Sequence, residues 1–333
     1  MIMHPSPSPL KYLGPQWFAV VMGWGGLGLA WWRSSVVFPE ELSRVLSAVA
    51  GAVAFAVYLL LIALNTVRLV RHRDALREDL AHPVRHAFAG AFPVSTILLC
   101  ALLALMPGAS GWAKGLFVIA LVIQAWVTVW VVSGWIRRGL SWPRVTPVVM
   151  IPIVGNVLVP LAGVPLGFET VSLGYLAVGL LMWPVVLALL LVRSASVPLP
   201  EPLLPSWFIL IAPPAITGPA LLAFGAPGWM IPVSFGVALF FFLCSLTLVP
   251  RLGRLKFGMP FWALSFPCAA LSALTSFAAT RSPALIPVAQ ILMLLVTGLI
   301  LWLSVQTIRG LAAGRLLVAE PTPSAPASGI EQR

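Results

Sequence analysis

Charge is scarce in this chain. Only 9% of its 333 residues are Asp, Glu, Lys or Arg, against roughly 25% in an ordinary soluble domain, which excludes a water-exposed globular surface over most of its length. Acidic residues number nine, histidines four and cysteines three. Cys100, Cys244 and Cys268 lie singly in apolar runs with no CxxC pair and read as small packing residues in a helix bundle. No Gly-rich phosphate loop or GxSxG elbow occurs. His82 and His86 have the i, i+4 spacing of a metal pair, but they sit in the loop REDLAHPVRH without a Cys and read as surface polar groups. No catalytic residue, metal or cofactor is expected.

What is present is apolar: 60% of the residues are hydrophobic. They divide into ten runs, at 15–33, 46–70, 86–106, 112–136, 146–164, 170–192, 206–226, 228–249, 260–280 and 284–308, each near the length that crosses a bilayer as a helix. The expected fold is an all-α integral membrane protein with one membrane domain over 15–309. Residues 1–14 precede it without the basic start and cleavage site of a secretory signal. Residues 310–333 follow, ending in the Pro/Ser-rich EPTPSAPASGIEQR, and are expected to be disordered. No Asp, Glu, Lys, Arg or His occupies the middle of any run, and such residues are what proton relays and metal-dependent intramembrane enzymes use.

The few charges are unevenly placed. With ten spans and the N-terminus inside, sixteen Lys and Arg face the cytoplasm, including the cluster Arg68, Arg71, Arg73, Arg77 and Arg85, and four (Arg33, Arg44, Lys114 and Arg281) face the other side. The positive-inside rule then puts both termini in the cytoplasm. The net charge of +11 is spread over loops and termini without interleaved aromatics, so it marks topology and contact with lipid, and nucleic acid is not an expected partner. The one dense acidic stretch, RDALRED from Arg73 to Asp79, reads as a solvated connector rather than an enzyme's paired acids.

Proline supplies the repeat. Pro93, Pro152, the pair Pro213 and Pro214, and Pro267 fall in the third, fifth, seventh and ninth runs, 59, 61 and 54 residues apart, which is the length of one helical hairpin. The first run has Gly23, Gly25, Gly26 and Gly28 instead. Each odd run is thus expected to be interrupted near its middle. A helix-interior proline costs about 3 kcal/mol in a soluble host, and the freed backbone groups cannot face lipid. Five hairpins follow, with interrupted odd helices inside around a pore and straighter even helices outside. Ser95, Thr96, Asn156 and Thr217 lie close after these breaks and, with Ser265 and Ser272 on the ninth run, are the candidate polar lining. In PFWALSFPCAALSAL, Phe266, Ala269, Ala270 and Ala273 form one stripe at 3.6 residues per turn, a bulky ring above small residues that can plug a narrow channel.

The segments AHPVRHAFAGAFPVSTILL, PIVGN, PLPEPLLPSWFILIAPPAI and PFWALSFPCAALSAL together resemble the tellurite-resistance/C4-dicarboxylate transporter family, which includes the plant slow anion channels. The resemblance runs from about residue 13 to 308. It implies ten helices in a quasi-fivefold ring of hairpins, a central anion pore, a homotrimer, a bacterial inner membrane as the location, and a pore-occluding phenylalanine on the ninth helix that matches Phe266. Trp183 stands where many bacterial relatives have an acidic residue before the proline of the sixth helix. The function implied is passage of small anions through a pore gated by Phe266. The alternatives are a proton-linked C4-dicarboxylate carrier, a sulfite or tellurite exporter, or a membrane subunit that transports nothing.

Overall fold

The computed structural model describes residues 8–106, 108 and 110–318, and every regular element among them is helical. The N-terminal residues 1–7 and the tail beyond 318, with its expected disorder, lie outside the described residues. Ten helices fall on the ten apolar runs: α1 Phe18–Arg33, α2 Glu40–Arg71, α3 Arg85–Ala104, α4 Ser110–Arg138, α5 Pro147–Gly163, α6 Glu169–Ser196, α7 Glu201–Ala223, α8 Met230–Leu246, α9 Met259–Ala279 and α10 Pro283–Ala312. Seven of them, all but α1, α5 and α8, are long and apolar enough to cross a membrane.

The prolines act differently from expectation. Each of α3, α7 and α9 opens as a 3-10 helix, at Arg85–Gly90, Glu201–Ile211 and Met259–Leu264, and then converts to α-helix. The α-helical part begins at Ala91, Ala212 and Ser265, so Pro93, Pro213, Pro214 and Pro267 all sit in its first three residues. An α-helix has no internal acceptor for its first N–H groups, so proline loses no α-helical hydrogen bond there. These residues mark a change of helix type and do not carry the cost of an interior break. In α5, Pro152 likewise sits third in Met150–Val154, and a 3-10 turn at Gly155–Leu158 then interrupts the helix. The expected interruption of α1 is absent: Gly25 and Gly26 lie in one unbroken α-helix.

The carbonyls released by these changes find partners on even helices rather than water. The Pro152 carbonyl accepts from Thr128 Oγ1 at 2.7 Å and Gln124 Nε2 at 3.1 Å, both on α4, and Asn156 Nδ2 donates back to Thr128 Oγ1 at 3.0 Å. Ser234 of α8 donates to the Pro214 carbonyl and accepts from Gly218 N–H at 2.9 Å. In a low-dielectric surrounding these bonds remove the cost of an unpaired backbone group.

Burial separates the odd helices from the even ones. In the apolar windows of α3, α7 and α9, 78%, 67% and 72% of residues are buried, against 28%, 39%, 22% and 22% in α2, α4, α6 and α10. Each odd helix packs on the even helix that follows it, α1 touches α3 and α9, and α5 touches α3 and α7. α7 also touches α9.

At the end where α3 begins, Asp79 is 1% exposed between Arg68 (2.7 Å) and Arg85 (3.2 Å). Arg68 also donates to the Lys11 carbonyl at 3.0 Å. Arg73, Asp74, Arg77 and Glu78 of RDALRED are exposed as a solvated connector requires, but Asp79 is not. The stretch forms the helix Arg73–Ala81, whose last acid is held out of water by a hydrogen bond from Arg68 and an ion pair with Arg85. His82 and His86 share no helical face, because that helix stops at Ala81, two residues before Pro83. His82 Nδ1 accepts from the backbone N–H groups of Val84 and Arg85, and His86 is buried against the Trp130 ring.

Candidate functional site: two cavities that share Phe266

Two cavities lie among the odd helices, and all five of those helices contribute to the lining of both. The first, ≈ 60 Å³, is bounded by the 3-10 segments and the starts of the α-helical parts, through Met22, Phe88, Met150, Pro213, Pro267 and others. The second, ≈ 120 Å³, lies toward the other end of the helices and is bounded by Gly26, Ala101, Leu161, Pro219, Ala273, Phe277 and others. A water needs roughly 10–15 Å³ of such space, so each cavity has room for a few waters behind a mostly apolar wall. They share two lining residues, Phe266 and Ile216.

Phe266 is 6% exposed. Its place follows from the residues around it. Trp262 donates to Thr307 of α10 at 2.9 Å, Ser265 donates back to the Trp262 carbonyl at 2.6 Å, and the next side chain is Phe266 at the start of the α-helical part. α1 makes room for it with glycine: a methyl group on Gly26 would stand 2.7 Å from Phe266 Cδ2, and one on Gly23 would meet Ser265 and Trp262 below 3.0 Å. The glycines of α1 thus permit close approach rather than bending. Ala269, Ala270 and Ala273 line the second cavity on the same stripe as Phe266.

The six polar residues picked from the sequence line neither cavity. Ser95 donates to the carbonyls of Phe18 and Ala91, Thr96 pairs with Tyr58, and Asn156 faces α4. Thr217 donates to Pro213, Ser265 to Trp262, and Ser272 to Met293 Sδ at 3.4 Å. Ser95, Thr96, Asn156 and Ser272 thus link neighbouring helices, while Thr217 and Ser265 turn back onto carbonyls of their own helix. Of the kink residues, Gly26, Pro213 and Pro267 line a cavity, while Gly25, Pro93, Pro152 and Pro214 do not. Trp183 is likewise absent from both linings, and its buried indole N–H has no hydrogen-bond partner among the described residues.

Most lining residues were not foreseen, and two of them bear directly on a path. Ile216 opposes Phe266 one turn after Pro213, a place the proline spacing could have indicated. Arg33, the last residue of α1, lines the second cavity, is exposed, and has no ion-pair partner among the described residues. It is the one charged residue in either lining. Its position at a span end made it look like a topology marker alone.

Residues 12–308 match the family described as Voltage-dependent anion channel. The chain belongs to that family. Among curated proteins, it is 24% identical over 272 residues to S-type anion channel SLAH2 of Arabidopsis thaliana, an alignment covering 78% of this chain and 51% of the plant protein. It is 33% identical over 98 residues to the Tellurite resistance protein TehA homolog of Haemophilus influenzae, covering 29% of this chain and 28% of that protein. The matched stretches thus span about half or less of these relatives' own length. The chain is thus a multi-pass membrane protein of an anion-channel family.

Proposed function

We propose that this chain conducts small inorganic or organic anions passively along the axis of its odd helices, and that Phe266 is the gate. The observation that carries this reading is the pair of cavities lined by all five odd helices and sharing Phe266 and Ile216. An ion moving between them must pass that ring. An apolar constriction of this kind blocks a hydrated ion by size and by dewetting. The cavities' apolar walls offer no tight ligand, which favours throughput over recognition, and Arg33 supplies positive potential at one mouth.

In this reading ten helices cross the membrane as five hairpins. The contacts α1–α3–α5–α7–α9–α1 support a closed inner ring, and the exposed even helices support an outer layer toward lipid. The arginine-rich end is cytoplasmic, in the inner membrane of a bacterium, and the assembly is a homotrimer. Single cysteines at Asp74 and Ser282, in a background without the three native ones, are expected to react with an impermeant maleimide from the cytoplasmic and the periplasmic side respectively. Reaction of both from one side would overturn the ten-span topology.

Transport mode separates the channel from a carrier. Among the described residues no Asp, Glu or His lines either cavity, so a proton-linked cycle lacks a relay there. In proteoliposomes of trimer-verified protein, efflux of chloride, nitrate, sulfite or malate is expected to proceed without a pH gradient. Flux that requires the gradient and follows it stoichiometrically would replace the channel by a carrier, and no flux of any of the four would favour a non-transporting subunit.

A further inference from the structure

A larger cavity lies off the axis. It occupies ≈ 770 Å³ between the α8–α9 connection, the start of α9, α10 and the segment after α10, at the arginine-rich end. Its floor is aromatic: Phe257 and Phe261 both pack against Trp302, with ring centres 5.9 and 6.2 Å apart. Its rim is basic and polar, with Lys256, Arg315 and Gln306. Lys256 and Arg315 are exposed, and neither side chain has a hydrogen-bond or ion-pair partner among the described residues. Among the described residues, no acidic one lines the cavity. Nearby Arg251 differs, because Glu201 pairs with it at 3.2 Å. Arg315 is held at the rim because Leu316 folds back onto α10, where a methyl group on Gly310 would stand 2.7 Å from Leu316 Cδ1.

We propose that this cavity binds one acidic phospholipid, with its phosphate between Lys256 and Arg315 and an acyl chain along Phe257, Phe261 and Trp302. Two unpaired cations above an apolar floor match a ligand that is anionic at one end and hydrocarbon at the other. A basic pocket between membrane helices is suited to such a headgroup. With Phe257 and Phe261 against it, Trp302 still keeps 44% of its surface exposed, so a lipid tail enters sideways from the bilayer. Free phosphate would satisfy the rim and leave the floor against water. The site lies away from the two axial cavities, so the proposal stands or falls independently of anion conduction.

The test is native mass spectrometry of the detergent-solubilised full chain titrated with phosphatidylglycerol, with phosphatidylcholine of the same acyl chains, and with glycerol phosphate. Phosphatidylglycerol is expected to bind at least tenfold more tightly than phosphatidylcholine, and glycerol phosphate far more weakly than either lipid. Lys256→Ala with Arg315→Ala should weaken phosphatidylglycerol roughly 10- to 30-fold, the contribution of two basic contacts, and leave phosphatidylcholine unchanged. Lys256→Arg with Arg315→Lys should restore the preference. Equal binding of the two lipids by wild type, or a preference that survives the double alanine change, would overturn the proposal. So would a preference that appears only after removal of residues 319–333, because the acidic tail would then be the occupant.

Discussion

Phe266→Ala is expected to raise anion conductance at least roughly tenfold, equivalent to lowering the passage barrier by about 1.4 kcal/mol. The ring is the larger of the two side chains common to both cavities. Its removal joins spaces of ≈ 60 and ≈ 120 Å³ into one, long enough for a file of water to replace a dewetted gap. A packing role predicts a different result. Truncating a fully enclosed Phe costs about 3–5 kcal/mol and would appear as lost folded protein. Because Phe266 borders open space on two sides, its loss seals no new void, and near-normal yield is expected. Conductance per trimer at matched protein amounts separates the two, and unchanged flux in well-folded Phe266→Ala would remove this residue from the path.

Arg33→Glu should have the second largest effect. One unit charge about 4 Å from an ion is worth about 1 kcal/mol even in bulk water, so reversing its sign changes the energy of an anion at the mouth by about 2 kcal/mol. In the Phe266→Ala background, where the gate no longer limits passage, chloride conductance at low ionic strength is expected to fall roughly tenfold or more. Arg33→Gln should lie between, and Arg33→Lys near wild type. The difference should shrink toward 1 M salt, where the Debye length is about 3 Å. Folding gives little reason for a loss, since Arg33 is exposed and pairs with no described acid. A deficit independent of salt would assign Arg33 a structural role.

The helices were legible because hydrophobic runs of bilayer length leave few other structures open. The stripe of Phe266, Ala269, Ala270 and Ala273 was legible from the 3.6-residue period, and those four residues line one cavity. The prolines were found in the right helices but given the wrong task. Whether a proline interrupts an α-helix or opens one depends on the structure before it, and apolar composition does not distinguish a 3-10 start from α-helix. That error carried into the polar residues. Ser95 and Asn156 follow a proline in sequence, yet their side chains serve backbone carbonyls and neighbouring helices instead of open space. The partners that matter to Pro152 and Pro214, namely Gln124, Thr128 and Ser234, are on even helices 20 to 28 residues away. Nothing local in the sequence joins them. Asp79 was misread for the same reason, since Arg68 and Arg85 reach it from two other elements.

The central claim is that the axis past Phe266 is a passive path for anions. Its most direct test is the reversal potential of Phe266→Ala under a tenfold chloride gradient. The account predicts a value near the chloride equilibrium potential, about 59 mV in magnitude for a single charge, with no displacement when a pH gradient is added. A reversal potential near zero, one of the sign expected for cations, or one that moves with pH would contradict it.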